Sequence, residues 1–241
     1  MRKNLIIALL VLTQIFSFLP NSNAEVTVSH FLGIGGMGKT DGDAKTAQFS
    51  RPADVVVDSK GNSFVLDANG IRKIDSTNNT STIYPFPSNT QNTLYCGLTI
   101  DKDSNLWFAD CRRSTLYKVS NTGTLLKTVY LPYAQNSWIT FTPGVDSLPD
   151  GSILVSVWLD GKIIKVSPDG NVSIFYQSST NSPCNSYPKP AGTFCPVALT
   201  TTPNGEVYAL NSGAQGNEVI RVNSDSTFTK VNTPVNPTNV E

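Results

Sequence analysis

Short apolar runs alternate with tight polar turns along this chain, and the same arrangement returns four times. The clearest copy has a strand at Pro52-Ala53-Asp54-Val55-Val56-Val57-Asp58, a turn at Ser59-Lys60-Gly61-Asn62 and a second strand at Ser63-Phe64-Val65-Leu66-Asp67. A third strand follows at Gly70-Ile71-Arg72-Lys73-Ile74. The second copy reads Gly97–Asp101, Leu106–Asp110 and Leu116–Val119; the third reads Gly144–Leu148, Ile153–Val157 and Lys162–Val166. The fourth reads Val197–Thr200, Val207–Leu210 and Val219–Val222. With Gly61, Ser104, Gly151 and Gly205 taken as equivalent turn residues, the copies are spaced 43, 47 and 54 residues apart. A repeat of that length built from four short strands predicts an all-β propeller, one blade per copy. Phe64, Trp107, Tyr208 and the run from Ile153 to Val157 are expected to fill the space between blades.

The segment from Phe31 to Ile83 resembles an NHL repeat. The residues that carry the likeness are Gly33, Gly35, Asp41-Gly42, Ala47-Gln48-Phe49, Arg51-Pro52, Val55-Val56-Val57-Asp58, Gly61-Asn62, Asp67 and Ile71-Arg72-Lys73-Ile74. The later copies share the looser core pattern. The resemblance implies a propeller, commonly six-bladed, with a central channel. Four blades fall short of that number. The segment Val26 to Leu32 reads as an outer strand of the kind that completes a last blade, yet the fourth copy has its own at Thr227 to Val231. An open ring, a ring completed by a second copy and a truncated ring are all compatible with the pattern.

Residues 1–24 read as a signal peptide. Arg2 and Lys3 precede the apolar run Leu5 to Leu12, and Ser22-Asn23-Ala24 offers small residues for cleavage. The run is too short for a membrane span. The propeller is placed at residues 25–231, and residues 232–241, with Pro234 and Pro237 among Asn and Thr, as a flexible tail. Without Arg2 and Lys3 the chain carries 16 basic and 18 acidic residues, a net charge of −2. That balance supplies no basic field for nucleic acid. Secretion or periplasmic export is the expected destination.

Four cysteines in an exported chain predict two disulfides, Cys96–Cys111 and Cys184–Cys195. If Asp101 faces Leu106 across the turn, constant register sets Cys96 opposite Cys111. Neither pair has CxxC spacing, so both read as structural staples on one propeller face.

Gly33 to Thr40 satisfies the phosphate-loop pattern GxxxxGKT. Such a loop works through the N-terminus of a following helix. Here Asp41-Gly42-Asp43 follows directly, so no nucleotide is assigned. Two lyases that resemble this architecture, one amidating peptides and one opening streptogramins, rely on histidines at the channel mouth. This chain has one histidine, His30, which excludes a three-histidine zinc site. The gluconolactonase-like propellers, which the chain also resembles, hold a divalent metal with channel carboxylates. Asp54 and Asp146, near the starts of inner strands, are the residues to test for that role, with calcium or another divalent cation. Asp58, Asp101 and Asp150, beside turns, read as turn caps. Asn78-Asn79-Thr80 and Asn171-Val172-Ser173 match the N-glycosylation acceptor.

The primary expectation is a non-catalytic scaffold, without a cofactor, that binds a protein, peptide or glycan through the disulfide-bearing face. Tyr133, Trp138, Tyr187 and Phe194 are the candidate contact residues, with the core an equal alternative for Trp138 and Phe194. The alternative expectation is a metal-dependent hydrolase or lyase using Asp54 and Asp146. A purely structural envelope component is the third.

Overall fold

The computed structural model describes residues 31–87, 94–132, 144–177, 184, 193–213, 216–223 and 227–231. Sixteen strands lie among them, in four antiparallel sheets of four strands, each a simple meander. Blade 1 comprises β1 (Asp54–Val57), β2 (Ser63–Asp67), β3 (Gly70–Ile74) and β4 (Thr80–Pro85). Blade 2 comprises β5 (Tyr95–Ile100), β6 (Leu106–Asp110), β7 (Thr115–Val119) and β8 (Leu125–Tyr130). Blade 3 comprises β9 (Val145–Ser147), β10 (Ile153–Val157), β11 (Lys162–Val166) and β12 (Val172–Gln177). Blade 4 comprises β13 (Pro196–Thr201), β14 (Val207–Gly213), β15 (Gly216–Val222) and β16 (Phe228–Lys230). First strands of consecutive blades are neighbours, so the sheets follow one another around a common axis. Among the described residues the four sheets do not close into a ring.

One turn design makes every inner hairpin. The residue at Asp58, Asp101, Leu148 or Thr202 accepts the N–H of the residue three positions on and donates its own N–H to the carbonyl four positions on. The third position has positive φ and is occupied by Gly61, Ser104, Gly151 and Gly205. That conformation favours glycine, which is why the spacing of these residues reveals the repeat. Asp58 and Asp101 cap their turns as expected. Asp58 Oδ1 accepts the N–H groups of Lys60 and Asn62, and Asp101 Oδ1 accepts those of Asp103 and Asn105. In the third blade Leu148 holds the capping position and Asp150 Oδ1 takes the N–H of Ser152 instead.

A second recurrent feature crosses each blade. The last residue but one of the third strand is basic every time, at Lys73 of β3, Lys118 of β7, Lys165 of β11 and Arg221 of β15. Lys118 reaches Asp101 at 2.9 Å, Lys165 reaches Asp150 at 2.8 Å and Arg221 reaches Glu206 at 2.9 Å. Each pair ties the third strand to the turn between the first two.

Three apolar clusters fill the blade interfaces. Phe64, Leu66 and Ile71 of blade 1 meet Leu98, Leu106 and Phe108 of blade 2. The opposite face of blade 2, with Trp107 and Leu116, meets Val145, Ile153 and Val155 of blade 3. Leu154, Ile163 and Tyr176 of blade 3 meet Val207, Ala209 and Ile220 of blade 4. The second strands β6 and β10 are buried along their whole length, because both faces are covered. Tyr208 departs from the expected interblade role: it is half-buried, on the outer face of blade 4, where no further sheet packs.

The segment Leu32 to Arg51 is irregular and lies against blade 1. Thr40 leads into a turn at residues 43–46 rather than a helix, so the phosphate-loop motif lacks the element that gives it chemistry. Buried Arg72 anchors the segment by donating to Gln48 O, Thr40 O and Asp41 Oδ1. Phe49 lies over its guanidinium at 5.1 Å. Residues 1–30, the signal peptide, His30 and most of the proposed surplus strand, lie outside the described residues, as does the tail from residue 232. Among the described residues no helix is long and apolar enough to cross a membrane.

Candidate functional site

The first strands begin, and the second strands end, on one face of the blade array. Both disulfides sit there. Cys96 and Cys111 have Cα atoms 6.2 Å apart, and Cys184 and Cys195 have theirs 5.7 Å apart, both in the range a disulfide spans. The pairing is the expected one, but the register is not. A bulge at Gly97, whose φ is +61°, shifts β5 so that Cys96 faces Ala109. Even before the bulge, Ile100 rather than Asp101 faces Leu106. The Cys96–Cys111 bond therefore runs diagonally, from within β5 to the residue just past β6. Constant register overlooks such an extra residue.

Chain closure on this face relies on an acid or amide nine positions after the turn residue, at the end of β2 and β6 and within β14. Asp67 Oδ2 accepts the N–H of Ser50 at 2.8 Å, and Asn211 Oδ1 accepts that of Cys195 at 2.6 Å. Asp110 occupies the same position in blade 2. Its Oδ1 accepts the N–H groups of Arg112 and Arg113 and, at 3.4 Å, that of Leu94. Its Oδ2 is buried without a hydrogen bond, with Arg113 Nε at 3.8 Å.

Around Asp110 the seam between blades 1 and 2 is lined by aromatic rings. Phe86 stacks on Tyr95 with centroids 3.7 Å apart, and Phe108 stacks on Tyr117 at 5.1 Å. Tyr84 contacts both Phe86 and Phe108, at 6.0 Å and 5.9 Å. Phe108 is buried, whereas Tyr84, Phe86, Tyr95 and Tyr117 are half-buried, so this is a shelf rather than a closed core. Burial, and next the charge of Asp110, push the Tyr117 phenol above its ordinary pKa. Half-exposed rings held in place in this way can stack on a flat or apolar group. These rings follow no repeat spacing. The signal was present in the aromatic-proline string Tyr84-Pro85-Phe86-Pro87 and in Tyr95 beside Cys96.

Of the contact residues expected from the sequence, Tyr133, Trp138 and Tyr187 lie outside the described residues. Phe194, for which surface and core stood open, is fully buried and packs edge-on against Tyr176 at 4.5 Å.

The two aspartates considered for a metal accept hydrogen bonds that cross between blades. Asp54 Oδ2 accepts the N–H of Leu98 in blade 2 at 2.8 Å, and its Oδ1 that of Val55. Asp146 Oδ1 accepts from Thr99 Oγ1 of blade 2 and from the Ser147 N–H, and its Oδ2 from the Thr201 N–H of blade 4. Ser147 Oγ donates to Ile100 O, and Thr201 Oγ1 donates to Ser147 O, extending the polar seam across three first strands. All four carboxylate oxygens already accept protein donors. Among the described residues no three His, Cys, Asp or Glu side chains gather as a metal set.

No known family's sequence pattern matches the chain. No curated protein matches it either. Solved structures do match in fold. A streptogramin B lyase is 21% identical with a TM-score of 0.57, the alignment covering 77% of this chain and 56% of the lyase. Regucalcin from Agrobacterium tumefaciens, a calcium-binding protein, is 14% identical with a TM-score of 0.56, covering 76% of this chain and 60% of that one. A chain of a nidogen–laminin complex is 13% identical with a TM-score of 0.56, covering 77% and 66%. This chain thus spans about three-fifths of the lyase and regucalcin structures. With the four meander sheets, these likenesses define the fold as a β-propeller, shared by a lyase, a calcium-binding protein and a nidogen–laminin complex.

Proposed function

We propose that this chain is an exported propeller of the NHL type that binds a protein, peptide or glycan without catalysis, through the face carrying both disulfides. The observation that carries the reading is the half-buried aromatic shelf of Tyr84, Phe86, Tyr95 and Tyr117 above the Asp110 carboxylate. Rigid blades hold these rings in place, so little side-chain entropy is lost on contact. Tyrosine clusters of this kind recur as anchors in binding surfaces. The paired cysteines support an oxidising compartment outside the cytoplasm. The nidogen neighbour, taken from a protein complex, lends the protein-binding reading weight by analogy of fold.

The test is a binding screen of the purified, oxidised protein against glycan and peptide arrays, repeated with Phe86→Ala. Saturable binding that disappears in the variant, while its melting temperature stays near wild type, supports the assignment. Binding unchanged in Phe86→Ala moves the contact surface elsewhere. Turnover of a bound ligand would replace the scaffold reading with an enzymatic one.

A further inference from the structure

The aromatic shelf is longer than its stacked rings. In blade 2 Tyr95 on β5 is the cross-strand partner of Asp110 on β6, Asp110 of Thr115 on β7, and Thr115 of Tyr130 on β8. Cross-strand partners project from the same face of a sheet. Phe108 and Tyr117, two positions along β6 and β7, share that face, which packs on Phe64, Leu66, Tyr84 and Phe86 of blade 1 and its exit. Tyr130, 74% exposed, therefore ends a strip that starts at Tyr95 and crosses four strands, a width of about 14 Å. Among the described residues nothing bonds to the hydroxyls of Tyr84, Tyr117 and Tyr130.

The turn between β6 and β7 sets a cation at the end of this strip. Asp110 Oδ1 accepts the N–H groups of Arg112 and Arg113 and so fixes the turn. The Arg113 side chain is 55% exposed, with Nε 3.8 Å from the buried Asp110 Oδ2, too far for a hydrogen bond. Burial and then the Asp110 charge raise the Tyr117 phenol while Arg113 opposes them, so the guanidinium lies within electrostatic reach of the ring.

We propose that the shelf binds an acidic glycan, with uronic-acid rings stacked along the strip from Tyr95 to Tyr130 and a carboxylate held by Arg113. This rests on the shelf being the contact surface. A pyranose offers an apolar C–H face for stacking and hydroxyls at its edge, which suits rings that carry phenol hydroxyls. A planar carboxylate accepts two parallel N–H bonds from a guanidinium, and such charge-assisted pairs are among the stronger ones. An apolar peptide would instead cover the phenols and the guanidinium without partners, which is costly. Asp110 stays behind the rings, where it orients Arg113 and touches no ligand.

The test is calorimetric titration of the purified, oxidised protein with uronic-acid oligosaccharides and with the same oligosaccharides carboxyl-reduced to neutral sugars. The acidic forms are expected to bind saturably and the reduced forms about tenfold more weakly. Arg113→Gln is expected to abolish that difference, Arg113→Lys to restore part of it, and Phe86→Ala to weaken both forms. Acidic and reduced forms that bind alike overturn the proposal and leave the shelf as the contact surface. A peptide that binds and is lost in Phe86→Ala, with no oligosaccharide bound, does the same. Acidic-sugar binding that Phe86→Ala leaves intact overturns this proposal and the shelf reading together. No saturable binding by any acidic oligosaccharide overturns it as well. The wild-type comparison of acidic with reduced ligand decides the matter even where a variant fails to fold.

Discussion

Asp146 in blade 3 accepts the backbone N–H of Thr201 in blade 4 at 2.7 Å, while its other carboxylate oxygen takes Thr99 Oγ1 of blade 2 at 3.1 Å. One side chain thereby joins three consecutive blades at their first strands. Removing it leaves a partly buried N–H without an acceptor, which costs about 1–3 kcal/mol. Asp146→Ala is expected to lose that much in urea-monitored equilibrium unfolding, and Asp146→Asn, which retains one acceptor, less. Dialysis against a chelator is expected to leave the wild-type midpoint unmoved. A large chelator-dependent drop would assign the carboxylate to a cation instead of a clasp.

The pH dependence of stability follows from the turn acids. Burial alone would raise the Asp101 carboxyl, but Trp107 Nε1–H, the Asn105 N–H and Lys118 outweigh it and hold it below the ordinary carboxylate range. Asp58, Asp75 and Asp150 are held low by hydrogen bonds in the same manner. A carboxyl depressed in the folded state contributes stability fully above its unfolded pKa, about 3.9 for Asp. That contribution is lost as pH falls from there through the folded value. The unfolding midpoint is therefore expected to be flat near neutrality and to fall on the acid side of about pH 4–5. Asp101→Asn should lower the neutral plateau and make the acid limb shallower. An acid limb identical to wild type would show that Asp101 contributes nothing to it.

These acids illustrate how far the sequence goes. Asp58 and Asp101 were legible as turn caps because the residues after them, ending at Gly61 and Ser104, repeat one turn design. The strands were legible because alternation and glycine spacing are local. The outer strands β8 and β12 were harder to place, since Leu125, Leu126 and Ile174 are exposed apolar residues that carry no inward pattern. The hydrogen bonds of Asp54 and Asp146 were not legible, because sequence does not show the N–H groups of neighbouring blades. The bulge at Gly97 was invisible for a related reason: Gly97 reads equally as a strand residue, and only the facing strand reveals it as the extra one. The aromatic shelf joins β4, β5, β6 and β7 across two sheets, so no local spacing announces it.

Gly123 separates backbone strain from close approach. It has a φ of +94°, and a Cβ placed on it would overlap the carbonyl oxygen of Ile83 in the neighbouring blade. Gly61 has a similar φ of +82° but open space around it. Gly61→Ala is expected to cost about 1–2 kcal/mol from the left-handed conformation alone. Gly123→Ala is expected to cost distinctly more, because the outer turn of blade 2 must then lift from blade 1. Equal losses in thermal unfolding would mean that the two blades are not held together at that point.

Tyr117 and Asp110 report on the candidate site without any ligand. The phenol is raised first by burial and then by the carboxylate charge. In a spectrophotometric titration it is expected to ionise above the ordinary tyrosine value of about 10. Asp110→Asn removes the charge while keeping the size of the side chain, so the Tyr117 transition should move down while burial keeps part of the elevation. Tyr117→Phe, which removes the transition, identifies it among the other tyrosines. The same Asp110→Asn change buries an amide donor where the unbonded Oδ2 stood, and by disturbing the support beneath the rings it should weaken a ligand held on the shelf. A ligand that leaves the Tyr117 transition untouched on binding, and binds Asp110→Asn as well as wild type, would place its contacts away from the shelf. A ligand that shifts the transition and loses affinity in Asp110→Asn would locate the recognition surface at the seam between blades 1 and 2.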